Sequence, residues 1–378
     1  VRGGLVIKEF DATRGGAERY AVNLARQRVR LGHEVHVFCH RAATPAGLPV
    51  EVHPVPIASW PASRRFLSFP ANARRAYGKS GLDVIHGLTQ TWPQDVHRAG
   101  GGVHRTWVRL GHPNPVGRFF HQATPRELAR RWVESRIYRP GHYAFVMTNS
   151  ELVRGHVLEE YGADPERVVV VRNGVDHAQF HPGVQVHREA VRASLGIADD
   201  EFVALFASSN FPRKGLATLI EAVARVGCRL VVAGGARRDA FVDIARRRGV
   251  AGRVHFVSQV ADIERWYGAA DCFALPTRYD PFANACLEAM ACGLPVVTTR
   301  ANGASEAIVP GESGHVIEDP DDVAALARAL EDFAGPGRAP AMGAAAARTA
   351  AGYTLERHAA ETCRLYERAM QLRTWDWT

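Results

Sequence analysis

One pattern recurs along the chain: a short, nearly unbroken apolar run followed by a longer stretch with apolar residues at helical spacing. In the first half, 4–10, 34–39 (EVHVFC), 83–86, 145–149 and 167–172 (RVVVVR) predict strands, and 16–31 and 151–161 predict helices. After Asn173-Gly174 the alternation restarts. Strands are expected at 202–207, 229–233, 254–257, 271–276, 295–298 and 314–317, and helices at 215–226, 239–249, 263–270 and 284–293. Strands this apolar, separated by helices, belong to parallel sheets covered on both faces. The expectation is an α/β protein with two doubly wound, Rossmann-like domains. The stretch 173–186, rich in Gly, His and Pro, is the expected linker, and the Ala-rich chain from Asp321 onward is expected to be helical.

The length of 378 residues suits two domains, and 46% hydrophobic with 23% charged residues is a globular composition. No apolar run approaches the roughly 20 residues of a membrane-spanning helix. Residues 1–10 lack the basic flank and cleavage site of a signal peptide, so a cytoplasmic protein is expected. The six cysteines include no Cys-x-x-Cys pair and read as reduced, buried thiols. The seventeen histidines are scattered and offer no helical His-x-x-x-His motif, so no metal is assigned. Charge is uneven: residues 1–173 carry +11 and the remainder −3. The first half therefore favours a polyanionic partner.

Three segments could carry chemistry. Arg14-Gly15-Gly16-Ala17-Glu18 follows the first strand at the mouth of a helix, where free N–H groups suit a phosphate or a sugar. It departs from Gly-x-Gly-x-x-Gly, which disfavours a nicotinamide dinucleotide, and a plain tight turn is the alternative. Arg213-Lys214-Gly215 follows the first strand of the second half; it can neutralise two phosphates or be a solvated basic loop. Asp280 and Glu288 bracket the start of a helix that leads to Gly293-Leu-Pro-Val. One carboxylate can accept from ribose hydroxyls and the other from sugar hydroxyls or helix-start N–H groups. Asp280 alone could be a helix N-cap. Glu288 lies among Cys286, Leu287, Ala289, Met290 and Ala291, where a carboxylate is rare without a partner.

Together with Asn173-Gly174-Val175-Asp176 and Phe180, these segments resemble the retaining GT-B glycosyltransferases of family 4, in particular their lipopolysaccharide core α-glucosyltransferases. The family has Glu where Asp280 stands and Pro where Arg172 stands. The resemblance implies a GT-B fold, with two Rossmann-like domains facing each other across a cleft. Residues 1–172 would bind the acceptor and 173–356 the nucleotide sugar, with helix 357–378 packing back on the first domain. It implies donor binding by Gly15, Gly16, Arg213, Lys214, Asp280 and Glu288, and catalysis by His104, Lys214 and Asp280. Arg213 and Lys214 would hold the diphosphate, Glu288 the ribose and Asp280 the hexose. No cofactor and no metal are implied, and Asp319-Pro-Asp321 reads as a turn and N-cap.

Between Arg105 and Arg139 lie eight arginines, with Trp107, Phe119, Phe120 and Trp132 interleaved. Arg126, Arg130 and Arg131 are expected to face an anionic membrane surface at the cytoplasmic side. RNA binding and a solvated helix face are the alternatives; a lipid-linked acceptor favours the membrane, and no nucleic acid is assigned. The combined expectation is transfer of glucose from UDP-glucose to a lipopolysaccharide core or related glycolipid. The rivals are a GDP-mannose-dependent mannosyltransferase and a catalytically silent GT-B scaffold.

Overall fold

The computed structural model describes every residue except 61, 112–122, 259 and 374–378, so Phe119 and Phe120 lie outside the described residues. The chain divides into two units, Val1–Arg172 with Leu355–Thr378, and Asn173–Thr354. In the first, strands β1 (Arg2–Val6), β3 (Glu34–Cys39), β5 (Glu51–Pro54), β6 (Val84–Gly87), β7 (Gln94–Arg98), β8 (Tyr143–Thr148) and β9 (Val168–Val170) form one sheet. Its order is β5-β3-β1-β6-β7-β8-β9, and all pairs are parallel. A minor pair, β2 (Glu9–Phe10) with β4 (Arg41–Ala42), continues beyond β1 and β3, so the expected run 4–10 is two strands.

The second unit is a six-stranded parallel sheet of β10 (Val203–Ala207), β11 (Arg229–Ala233), β12 (Val254–Val257), β13 (Cys272–Leu275), β14 (Val296–Thr299) and β15 (Gly314–Ile317). Its order is β12-β11-β10-β13-β14-β15. The inner strands β10, β11, β13 and β14 are buried almost throughout, which is why they read as continuous apolar runs. In each unit the order reverses beside the first strand, between β1 and β6 and between β10 and β13. Such a reversal leaves a crevice at the carboxyl ends of the strands.

Three expectations change. Residues 173–186 are not a loose linker: Phe180 and Val184 are core residues of the second unit, Phe180 against the Tyr267 ring. β7 has the sequence QDVHR yet is buried at all five positions. Its Asp95 accepts the Ile85 N–H at 2.7 Å, and its Arg98 guanidinium lies over the Tyr20 ring at 3.6 Å. The last described helix begins at Leu355 and ends at Leu372, packing on β6, β7, β8 and helix Gly16–Arg30.

That last helix is held by polar contacts in an apolar setting. His358 bridges the Arg172 carbonyl at 2.8 Å and the Tyr20 hydroxyl at 2.9 Å, and His86 meets the Tyr366 hydroxyl at 2.6 Å. Burial holds His358 down at about 4, His97 at about 3 and His86 well below the usual range, with Arg98 adding repulsion. Every histidine with a resolved shift moves the same way. These residues titrate near 6.5 when unfolded, so below that pH the unfolded chain takes up protons first. Stability contributed by the neutral rings is therefore complete above about pH 7 and falls as pH drops from about 6.5 toward 4. Thermal melts from pH 8 to pH 5 should show Tm falling with acidification; a flat profile would contradict the buried, neutral assignment.

Candidate functional site

In the second unit the sequence candidates gather at the β10/β13 reversal. Arg213 and Lys214 follow β10, and Asp280 follows β13. Lys214 and Asp280 are each only 7% exposed and are hydrogen-bonded to one another. A buried ammonium is costly without a partner, so this pair fixes both side chains across the crevice. Arg213 lies 3.9 Å from the same carboxylate oxygen, and its Nε is buried with no hydrogen-bond partner. The other oxygen of Asp280 accepts the Phe282 N–H at 3.0 Å. Asp280 is therefore not a helix N-cap: helix Asn284–Ala291 starts at Ala283 with no side-chain cap.

Backbone geometry explains the glycine after Arg-Lys. Gly215 has φ +76, and a Cβ there would stand 2.0 Å from the Pro276 carbonyl oxygen. It opens helix Leu216–Arg225 without a side-chain cap, leaving first-turn N–H groups unpaired by any side chain. Glu288, half-buried, accepts from the Tyr267 hydroxyl at 3.1 Å, the partner its apolar flanks demanded. Asp319 accepts the Asp321 N–H at 2.8 Å, Asp321 pairs with Arg278 at 2.7 Å, and the cap of helix Val323–Ala334 is Asp322, one residue later than expected.

Sequence reasoning missed Asn302. Fully buried, it accepts from the Ala283 and Ala304 N–H groups at 3.1 Å each and donates to Thr298 at 3.0 Å and the Cys286 sulfur at 3.4 Å. All four of its hydrogen-bonding capacities are used, tying the loop after β14 to the loop carrying Asp280. The Ala301 carbonyl also receives the Asp280 N–H at 2.9 Å. An asparagine between Ala301 and Gly303 looks like an ordinary turn residue, so no local signal marks it.

In the first unit, Gly15 and Gly16 open helix Gly16–Arg30, again without a side-chain cap. Their conformation does not require glycine. Gly15 is extended, and a Cβ on Gly16 would meet nothing within 4 Å. The space beside Gly16 is open, whereas a Cβ on Gly15 would stand 2.9 Å from the Glu18 carboxylate. His104 is not an exposed loop residue. It begins helix His104–Gly111, is 4% exposed, and its Nε2 sits 2.5 Å from Glu127. Its N–H donates to Glu134 at 2.6 Å, and Glu134 also accepts from Tyr161 at 2.6 Å.

Arg126, Arg130 and Arg131 do not form one solvent-facing patch. On helix Pro125–Ile137, Arg126 is exposed, but Arg130 is half-buried between Glu127 and Glu134. Lys8, just beyond β1, is held below its usual range by burial and by repulsion from Arg130, Arg65 and Arg126. All six cysteines are free, and burial raises their thiols, Cys39 and Cys228 to about 11. Among the described residues, no helix is long and apolar enough to cross a membrane.

Each unit is Rossmann-like, a parallel sheet whose order reverses beside its first strand, and in the second unit polar residues gather at that reversal. Two such units in one chain fit the GT-B glycosyltransferase fold, which the comparisons with known proteins bear out. Residues 14–179 match Glycosyltransferase Family 4, and residues 187–343 match Glycosyl transferases group 1. A D-inositol 3-phosphate glycosyltransferase from Streptomyces scabiei is 30% identical, with the alignment covering 94% of this chain and 87% of the relative. A probable transglycosylase from Burkholderia thailandensis is 33% identical, covering 92% of each. Among solved structures, WaaG, a glycosyltransferase involved in lipopolysaccharide biosynthesis, has a TM-score of 0.78 at 24% identity, covering 98% of this chain and 99% of WaaG. HepE of Anabaena, in complex with UDP-glucose, has 0.71 at 22%, covering 96% and 99%. The chain belongs to the group 1/family 4 glycosyltransferases.

The two glycine sites make opposite demands. Gly215→Ala should lose about 2–4 kcal/mol through strain and overpacking. Gly16→Ala should stay within about 1 kcal/mol of wild type. Denaturant melts of the two variants check this; equal stabilities would show that the Pro276 carbonyl yields.

Proposed function

We propose that the protein is a retaining hexosyltransferase that takes glucose from UDP-glucose and needs no divalent ion for the transfer. The observation that carries the donor assignment is the buried, unpartnered Nε of Arg213 beside the Lys214–Asp280 pair, next to an uncapped helix N-terminus. That set of donors fits a diphosphate. Arg213 and Lys214 would take up the charge that grows on the departing nucleoside diphosphate, which makes their contribution largest in the transition state. Asp280 would hold Lys214 in line and face the hexose, and Glu288, steadied by Tyr267, would accept from the ribose hydroxyls. In the first unit, His104, steadied by Glu127, would act on the sugar substrate. Gly15 and Gly16 would let an anionic or sugar group approach their helix. HepE's complex with UDP-glucose supports the choice of donor, and WaaG's part in lipopolysaccharide biosynthesis supports the choice of acceptor. A GDP-mannose enzyme and a silent scaffold are the rivals, separated by nucleotide titration and a donor-hydrolysis assay.

The acceptor on this reading is a phosphate-bearing glycolipid such as a lipopolysaccharide core. Lys8, Arg65, Arg126 and Arg130 crowd cations at the carboxyl end of β1, which suits an acceptor phosphate, and some relatives are named for inositol 3-phosphate. Membrane docking at the cytoplasmic face is supported by Leu128 and Trp132, exposed one turn apart, with Arg136 over the Trp132 ring. Such a face would combine apolar contact with attraction to anionic lipid.

Lys214→Ala should lower kcat by about 10²-fold or more while donor affinity falls less. A change confined to KM would reduce Lys214 to ground-state binding. Glu288→Gln should weaken UDP binding by about 1.5–3 kcal/mol in calorimetric titration, and unchanged affinity would remove it from the donor site. Leu128→Ser with Trp132→Ser should weaken co-sedimentation with anionic vesicles and leave transfer to a soluble acceptor fragment intact. Wild-type binding that is equal on neutral and anionic vesicles would reject electrostatic docking.

A further inference from the structure

We propose that His36, Glu51 and His53 form a zinc-type divalent metal site that clips the edge strand of the first sheet. The parallel register sets His36 of β3 opposite Glu51 of β5, and Phe38 opposite His53. Side chains two apart along a strand share a face. The sheet therefore brings two imidazoles and a carboxylate together from a sequence with no metal motif.

The distances fit a shared ion. His36 Nδ1 lies 2.9 Å from His53 Nε2 and 3.4 Å from Glu51 Oε2, and His53 Nε2 lies 3.4 Å from the other carboxylate oxygen, Glu51 Oε1. Zinc bonds of about 2.0–2.1 Å at near-tetrahedral or somewhat narrower angles put neighbouring donor atoms about 2.9–3.4 Å apart. Among the described residues, these three are the His, Cys, Asp or Glu side chains placed to share one ion.

A second carboxylate holds the first imidazole in place. His36 Nε2 is 2.7 Å from Glu34, which also accepts from Arg2 at 3.3 Å. That contact leaves Nδ1 as the His36 ring atom directed at His53 and Glu51. A carboxylate histidine pair of this kind orients metal-ligating imidazoles. The His53 ring is fixed by stacking on Phe38, centroids 4.5 Å apart. A divalent cation at the centre would take a lone pair from each imidazole and neutralise the Glu51 carboxylate.

The cluster involves the amino-terminal half of β3, whereas the donor and acceptor candidates follow the carboxyl ends of their strands. The metal's part is to fasten β5, a four-residue strand with one neighbour, to β3. Exposed Glu51 leaves the remaining coordination position to water, so the ion exchanges with solvent.

The test is titration of the metal-free full-length protein with Co²⁺, followed by displacement with Zn²⁺. One equivalent of Co²⁺ should give a visible d–d band that Zn²⁺ removes, and Zn²⁺ should raise Tm. His53→Ala and Glu51→Gln, both on the accessible edge, should keep the metal-free Tm, abolish the Tm rise and weaken binding at least 10-fold. Glu34→Gln should weaken it about 10–100-fold while the band persists at saturation. Absence of the band in wild type, or wild-type affinity in His53→Ala and Glu51→Gln, would overturn the proposal.

Discussion

The second unit is organised around one buried ion pair. Lys214 and Asp280 come from loops on opposite sides of the point where the strand order reverses, and neither charge would be stable there alone. Around them the chain has little freedom. Gly215 must turn through positive φ to bring Lys214 back over β10, and Pro276 stands too close to admit any side chain at that position. Asn302 fastens the loop carrying Asp280 to the loop after β14. The pair is balanced internally, and beside it the buried Nε of Arg213 keeps an unused donor.

The first unit solves a different problem, the burial of cations without carboxylates. Arg28 is fully buried, none of its guanidinium nitrogens has a hydrogen-bond partner, and it lies over the Tyr366 ring at 4.9 Å. Gly3 has no side chain because that guanidinium occupies the space, 2.1 Å from where a Cβ would stand. The Arg98 guanidinium also lies over a ring, that of Tyr20. For Arg28 an aromatic face takes the place of a counter-ion. The neighbouring histidines remain neutral because a further positive charge would have no partner.

The second unit was largely legible in the sequence because its strands are apolar on both faces and most of its helices end at or just before a punctuating glycine. Runs such as ALFA and CFAL have no other economical reading. β7 escaped notice because Gln94, Asp95, His97 and Arg98 look solvent-exposed; only tertiary partners make them a central strand. Helix Ala62–Tyr77 was obscured by the interior Pro70. Site residues followed the same division. Lys214 and Glu288 announced themselves by charge at a helix start or in apolar company. Asn302, Tyr267 and the Glu127 partner of His104 act through contacts between segments far apart in sequence. His36 and His53 were visible as residues, but their meeting depends on a strand register that no local pattern encodes.

The return of helix Leu355–Leu372 to the first unit makes that unit discontinuous, with the whole of Asn173–Thr354 inserted into it. During synthesis the second unit is therefore complete before the first has received its last helix. The usual order, in which the amino-terminal domain finishes folding first, is reversed at this point. Until Tyr366 and Leu365 arrive, the surface formed by β6, β7 and helix Gly16–Arg30 keeps apolar groups and the Arg28 guanidinium uncovered. The nascent chain thus carries a finished inserted unit and an open first unit for as long as the ribosome takes to deliver the final helix.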